Sequence, residues 1–382
     1  ARAFWIATAV LLILEGAMSS VLPRLVPDTV YLRAFLPWQA VVQTRRFLRG
    51  ELDVIPDPKL GWRNRPRHVY QNIRYDEYGS RSAGGIFPEK RKPVRVVFIG
   101  DSRTNGYTFV SNAETISAGM ENGRVETLNL ATAFYGLDQM VLALESAVSN
   151  FEPDVAVIGI GSDDHLLLDS HYIPLLNPNE YGMPFLKPRF QPSENGDVEP
   201  VTPNPRSMLT GLPVNPDLLP FLAENDPHFQ RFRKFQRWQT TPLIGLLTHS
   251  GSKMAEIFGW RNLGSNGKNS EAMVAQEKMY RELIRRVRAI GAENGTAVGF
   301  VLFPSLDEFL EKKTEDFDRV AGILRSERLP FVDARSLLKR YRGNENLFGD
   351  DLHFTAAANR VMADALSRTL LHTRDDQPVI AR

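Results

Sequence analysis

Between Val94 and Leu371 the chain alternates short apolar runs with longer amphipathic ones, and that alternation leaves few folds open. Strands are predicted over Val94–Ile99, Val125–Leu130, Val155–Ile160, Ala297–Phe303 and Pro330–Asp333. Helices are predicted around Thr115–Glu121, Leu137–Ser149, Glu271–Glu293, Asp316–Arg325 and Thr355–Leu371. Val155–Ile160 is apolar but for its glycine, as a strand must be when both its faces are covered. Repeated βα units specify an α/β fold, a parallel sheet flanked by helices on both faces. No internal repeat is visible.

The alternation breaks from about residue 166 to 267, a stretch rich in proline and carrying Tyr172, Tyr181, Phe185, Phe190 and an amphipathic piece near Phe229–Trp238. A structureless connection of that length is improbable in a compact domain, so a partly helical insertion covering or shaping the site is expected. Ahead of the domain, Asp28–Leu52 reads as one or two amphipathic helices, with Leu32, Phe35, Leu36 and Val42 on the apolar side. That side would lie on a membrane surface or pack on the main domain. Pro56–Pro93, rich in Pro, Gly, Arg and Tyr, reads as an irregular lead-in wrapping the core. The expected organisation is an anchor at 1–25, a lead-in at 26–93, the α/β domain at 94–371 interrupted by the insertion, and a tail at 372–382.

The anchor is expected because Phe4–Leu22 carries one charge, Glu15, in nineteen residues. As a helix it would span roughly 28 Å, close to the hydrocarbon thickness of a bilayer. A cleaved signal peptide usually has a shorter apolar core. Mid-span, Glu15 costs about 3 kcal/mol on insertion scales unless it is protonated, paired or near an interface. Gly16, Ala17, Ser19 and Ser20 are small enough for another helix to approach. Glu15, Gly16 and Ser19 thus mark a contact with other transmembrane helices of a complex, the alternative being a marginal anchor whose Glu snorkels. Arg24 and Arg33 follow the span and only Arg2 precedes it, which by the positive-inside rule would hold the domain in the cytoplasm. Because the sequence does not open on Met, a basic stretch ahead of it is expected, with a single pass and the domain in the periplasm or outside the cell.

Lysine plus arginine (46) balances aspartate plus glutamate (45), so no nucleic-acid face is implied. Cysteine is absent, which excludes disulfides, thiolate metal sites and a cysteine nucleophile. Chemistry must come from elsewhere. Ile99-Gly100-Asp101-Ser102-Arg103-Thr104-Asn105 directly follows the first predicted strand, where open parallel sheets gather reactive groups. Far downstream, Asp350-Asp351-Leu352-His353 precedes the last helix. A serine hydroxyl needs a base to take its proton, and the base needs orienting. His353 can be the base and Asp350 the carboxylate that fixes its tautomer. Alone, a Gly-Asp-Ser turn is a common loop; paired with the downstream block it is a candidate site.

These blocks resemble the SGNH, or GDSL-like, hydrolase superfamily, of the membrane-anchored bacterial type. Gly100-Asp101-Ser102 matches the first block and Asp350-x-x-His353 the last. Leu128-Asn129-Leu130 with Tyr135-Gly136-Leu137-Asp138-Gln139 resembles the second, and Gly161-Ser162-Asp163-Asp164 the third. Leu60-Gly61-Trp62 and Tyr78-Gly79-Ser80-Arg81 resemble the lead-in of anchored members. The resemblance implies a flavodoxin-like three-layer sandwich and a Ser102-His353-Asp350 triad. Two positions depart from it. Phe134 stands where a glycine N–H faces the oxyanion, and Asp163 stands where an asparagine amide donates to it. A carboxylate cannot donate unless protonated, and losing one such donor typically costs ~100- to 1000-fold. Arg103 is expected at the surface or facing substrate. His165 and His171 are expected as satisfied loop histidines rather than a metal pair, and Asp163 and Asp164 as a helix cap rather than a cation site.

The function implied is a membrane-anchored serine esterase or deacylase acting on O-acyl, foremost O-acetyl, groups of a carbohydrate. A catalytically weak or inactive structural subunit of a membrane complex is the alternative, with a polysaccharide O-acyltransferase as a further one. No cofactor and no metal are called for.

Overall fold

A computed structural model describes residues 5–6, 8–14, 16–17, 38–82, 89–176, 185–193, 197–211, 215, 217–227, 229, 270–343, 345–374 and 377–380. The chain forms two compact units, one of residues 1–49, 169–187 and 203–274, the other of residues 50–168, 188–202 and 275–382.

The second unit holds the sheet. Its strands are β1 (Val94–Gly100), β2 (Val125–Asn129), β3 (Val155–Gly161), β4 (Ala297–Phe303) and β5 (Phe331–Asp333). They lie in the order β5-β4-β3-β1-β2, and every neighbouring pair is parallel. The register sets Gly100 beside Gly159 and Phe98 beside Asn129. The helices that connect and flank the strands include α1 (Ser102–Asn105), α2 (Ile116–Met120), α3 (Leu137–Phe151), α4 (Ser270–Glu293), α5 (Glu315–Ser326) and α6 (Ala356–Leu370).

All seven residues of β1 and of β3 are buried, as the apolar runs require when helices cover both faces. Alternation along β1 sends Val94, Val96 and Phe98 into one core with Ile116 and Met120 of α2 and Met362, Leu366 and Leu370 of α6. The odd-numbered Val97 and Ile99 turn to the opposite face, and α3 packs on β1 and β3. This order is the doubly wound, flavodoxin-like one, whose connection reverses direction between β1 and β3. Groups beyond the carboxyl ends of those two strands therefore share a crevice.

The lead-in from Gly50 onward belongs to this unit. Trp62 is fully buried, donates from Nε1 to the Ala133 carbonyl at 3.0 Å, and meets Tyr135 edge to face at 5.7 Å. The Tyr135 hydroxyl returns a bond to the Trp62 carbonyl at 2.6 Å. The insertion is divided: the hairpin Arg189–Pro192/Val198–Val201 goes with the sheet unit, while 169–187 and 203–274 go with the other. In that other unit are short helices at Trp38–Leu48, Ile173–Leu176, Pro205–Leu209 and Leu218–Asn225. Its buried Asp226 carboxylate accepts from Ser170 Oγ at 2.6 Å, the His171 N–H at 2.7 Å and the Phe229 N–H at 2.8 Å, which offsets the cost of burying it.

Near the N-terminus, Trp5, Ile6, residues 8–14 and Gly16–Ala17 are helical. Among the described residues no helix is long and apolar enough to cross a membrane. Glu15 and Ser19, two of the three proposed membrane-contact residues, lie outside the described residues, as do residues 28–37 of the amphipathic stretch and most of the piece near Phe229–Trp238. Where a tail was expected, Leu371–Arg374 and Gln377–Ile380 pair as an antiparallel hairpin.

Candidate active site

Ser102 opens α1 immediately beyond β1. Asp101 caps that short helix, its Oδ1 accepting the Arg103 N–H at 2.9 Å, and Gly106 closes it at φ +90°. The helix sits tightly on the strand ends because β3 ends in small residues. A Cβ at Gly159 would lie 1.9 Å from Thr104 Oγ1, and one at Gly161 would lie 1.3 Å from Arg103 Nη1. Only glycine leaves room for the turn that presents the serine.

His353, 251 residues away in sequence, places Nε2 2.9 Å from Ser102 Oγ. Its Nδ1 lies 2.9 Å from Asp350 Oδ2 and 3.0 Å from Oδ1. The Asp350 carboxylate also accepts the N–H groups of Leu352 and His353, each at 2.7 Å. Burial alone would raise its pKa; the hydrogen bonds from His353 and these backbone groups outweigh that and hold the carboxyl below its usual range. Asp350 therefore stays an acceptor, Nδ1 carries the proton, and Nε2 is left to take one from Ser102. The imidazole stacks on Tyr107 at 4.7 Å and on Phe109 at 5.6 Å, two rings too close together to sandwich it.

Tyr107, Phe109 and the residue that fixes them were not foreseen from the sequence. Tyr107 has φ +42°, a left-handed conformation costly for a bulky side chain. Arg81 enforces it. Its fully buried guanidinium donates to the carbonyls of Asn105, Tyr107 and Val110 and to Asn112 Oδ1. Burial pushes its pKa down to about 10, which leaves it charged at neutral pH. The sequence signal was present in Tyr78-Gly79-Ser80-Arg81; nothing in it indicated that the arginine points inward.

On the other side of the serine the two departures take definite forms. Phe134 has φ +64°, a left-handed conformation that glycine adopts freely and phenylalanine rarely does. Among the described residues, no hydrogen bond engages the backbone N–H of Ser102 or of Phe134. Asp163 is not free. Its Oδ1 accepts from Arg103 Nη2 at 2.6 Å. The expectation that Arg103 faces solvent or substrate is overturned: its side chain is 3% exposed, while that of Asp163 is 49% exposed. Arg103 is drawn inward because Asp101 Oδ2 lies 3.3 Å and Asp164 Oδ1 3.7 Å from its Nη1, so three carboxylates surround one guanidinium. Burial opposes the charge on Arg103, but those carboxylates prevail and bind its proton more firmly than usual. Burial raises Asp101 against the pull of Arg103, and burial together with Asp101 raises Asp164 well above the usual range. Asp163 is the one held down, its burial outweighed by Arg103.

The expected helix cap at Asp163 and Asp164 is thus replaced by this ion-pair cluster, with Asp164 Oδ2 also taking the Gly161 N–H at 2.7 Å. His165 is satisfied as expected: Nδ1–H donates to the Ser162 carbonyl at 2.7 Å and Nε2 accepts from Arg319 at 2.9 Å. Burial and Arg319 lower its pKa and keep it neutral. His171 Nδ1 lies 2.9 Å from the Lys187 carbonyl. Among the described residues no three His, Asp or Glu side chains are placed to hold a metal.

A parallel sheet in this order, with serine, histidine and aspartate joined at its reversal point, is the arrangement that the resemblance to the SGNH superfamily implies. No family model and no curated protein matches the chain. Solved structures do. A GDSL-like lipase from Bacteroides thetaiotaomicron is 12% identical, with 74% of this chain and 90% of that one covered and a TM-score of 0.36. The lipase/acylhydrolase from Enterococcus faecalis is 13% identical, with 72% and 94% covered and a TM-score of 0.36. A catalytic mutant of an acetylxylan esterase from Geobacillus stearothermophilus is 12% identical, with 73% and 95% covered and a TM-score of 0.34. What this chain can do is decided by its own residues, not by likenesses at this distance.

Proposed function

We propose that the chain is a serine ester hydrolase. Ser102 Oγ attacks an ester carbonyl while His353 Nε2 takes its proton, and Asp350 stabilises the imidazolium through Nδ1–H. The alcohol departs with the proton from His353, leaving an acyl-Ser102. Water, deprotonated by the same nitrogen, then releases the acid. The backbone N–H groups of Ser102 and Phe134 are the donors for the oxyanion. The observation that carries this reading is the unbroken hydrogen-bonded chain from Ser102 through His353 to Asp350.

The substrate we propose is an O-acyl, foremost O-acetyl, group on a carbohydrate. Beside the nucleophile lie two aromatic rings, Tyr107 half-buried and Phe109 42% exposed, and such faces suit the apolar side of a sugar ring. We propose further that the N-terminal helix holds the chain at a membrane with its domain outside the cytoplasm. Exposed Trp5, Ile6, Leu12 and Ile13 support this, since such side chains are costly to leave in water.

The test is acetate release from O-acetylated polysaccharides and from p-nitrophenyl acetate. Release by the wild type and not by Ser102→Ala supports hydrolysis. Acetyl transfer that requires a sugar acceptor selects the acyltransferase. Equal inactivity of both proteins overturns the enzyme reading in favour of a structural subunit.

A further inference from the structure

On the reading that Ser102 is a working nucleophile towards an acylated carbohydrate, we propose that a hairpin of the lead-in is the recognition arm of the site, with Tyr70 binding the sugar next to the esterified one. Val69–Tyr70 and Ile73–Arg74 pair as an antiparallel hairpin closed by Gln71 and Asn72, with Gln71 at φ +53°. A lone hairpin of this size is marginal in water, so its position must be fixed from outside. It is fixed by the segment whose rings stack on His353. Asn72 Nδ2 donates to the Thr108 carbonyl at 2.8 Å, between Tyr107 and Phe109. Asn112 completes the fastening: its Oδ1 accepts the Arg74 N–H at 3.2 Å, and its Nδ2 donates to the Arg74 carbonyl at 2.7 Å. The same Oδ1 accepts from Arg81 Nε at 3.1 Å, so one clamp holds both the hairpin and the rings.

Directly opposite residues of an antiparallel pair share a face, so Tyr70 lies on the side of Ile73, and Val69 on that of Arg74. Ile73 is 2% exposed, which marks its side as the one turned to the protein. Tyr70 shares that side yet stays 38% exposed, at a rim rather than in the core. Its influence reaches the ring stacked on the base: after burial itself, Tyr70 is the next cause that raises the Tyr107 hydroxyl, ahead of Asp53 and Asp350. Among the described residues of the sheet unit, the exposed large apolar side chains are Val69, Tyr70, Phe109, Leu166 and Leu310. Three of these five fall on the hairpin or on the segment it is fastened to, and such a cluster beside a reactive serine marks a binding surface. The occupant is a sugar rather than an acyl chain, because the Tyr70 ring adjoins the exposed polar turn of Gln71 and Asn72. Phe109, 5.6 Å from the imidazole, faces the esterified unit, and Tyr70 the unit beyond it.

The experiment compares acetate release from an O-acetylated polysaccharide with hydrolysis of p-nitrophenyl acetate, which carries no second sugar. Tyr70→Ala should lower the ratio of the two kcat/KM values by about tenfold or more, through KM for the polymer. Tyr70→Phe keeps the ring and should hold the ratio within about twofold of wild type, as should Val69→Ser on the opposite face. A merely structural role for Tyr70 lowers both activities together and leaves the ratio unmoved. An unmoved ratio, a polymer loss confined to kcat, or equal effects of Tyr70→Ala and Val69→Ser overturns the inference. So does a wild type that cleaves p-nitrophenyl acetate and no polymer. In each of these cases the esterase reading stands. A wild type that cleaves neither ester overturns both.

Discussion

Beside Ser102 stand His353 and Asp350, joined to it by ordinary hydrogen bonds. In contrast stand Phe134, at a left-handed φ, and Asp163, which is tied to a buried arginine. The first set is joined by hydrogen bonds from end to end; the second is held by a charge pair and an unusual backbone angle. The contrast teaches that a charged residue is read together with its neighbours: Asp163 alone suggests a free carboxylate, whereas the structure pairs it with the buried Arg103.

The comparison breaks most readily on the proton-transfer side. Ser102→Ala and His353→Ala should each lower kcat/KM for an ester by about 10⁴-fold or more, and combining them should add little, because they act as one unit. Asp350→Asn should cost about 100-fold or more by disfavouring the required tautomer. The pH profile sharpens this. The Asp350 carboxyl is held below its usual range, so its support of His353 is present above that range and is lost as pH falls through the lowered value. Wild-type kcat/KM should lose that contribution only in acid, and Asp350→Asn should lack it at every pH.

A smaller effect is expected from the clamp. Arg81→Met should destabilise the protein by about 3 kcal/mol, because several buried carbonyls lose a charged donor. It should also slow turnover about tenfold through the displaced Tyr107 and Phe109, measured by thermal unfolding beside steady-state kinetics. Least affected should be Phe134→Gly. It relieves a positive φ at a cost in unfolded-chain entropy, so stability should change by less than about 1 kcal/mol and activity by only a few-fold. A large loss there would mean that the ring itself touches substrate.

Much of this molecule was legible before any coordinates. Ala297–Phe303 was bounded to the residue, and the other four strands differ by one residue at an end, because short runs rich in apolar and β-branched residues between turn residues have little freedom. Ser102, His353 and Asp350 were legible because each belongs to a short local block. What stayed hidden depends on long-range packing. Arg103 reads from the sequence as a surface or substrate-facing charge because single-residue polarity says nothing of three carboxylates arriving from two strand ends. Arg81 and the aromatic pair escaped for the same reason: an arginine whose partners are backbone carbonyls leaves no complementary charge to find. The insertion was foreseen as one piece, yet Phe190 is buried with its hairpin in the sheet unit, and a polar, proline-rich stretch carries no periodicity that would reveal the division.

The central claim is that His353 activates Ser102, and covalent trapping tests it most directly. A fluorophosphonate added to the native protein, followed by peptide mass spectrometry, should place one adduct on Ser102. The adduct should disappear in Ser102→Ala and slow by orders of magnitude in His353→Ala. An unmodified Ser102, or labelling that proceeds equally well without His353, would contradict the account.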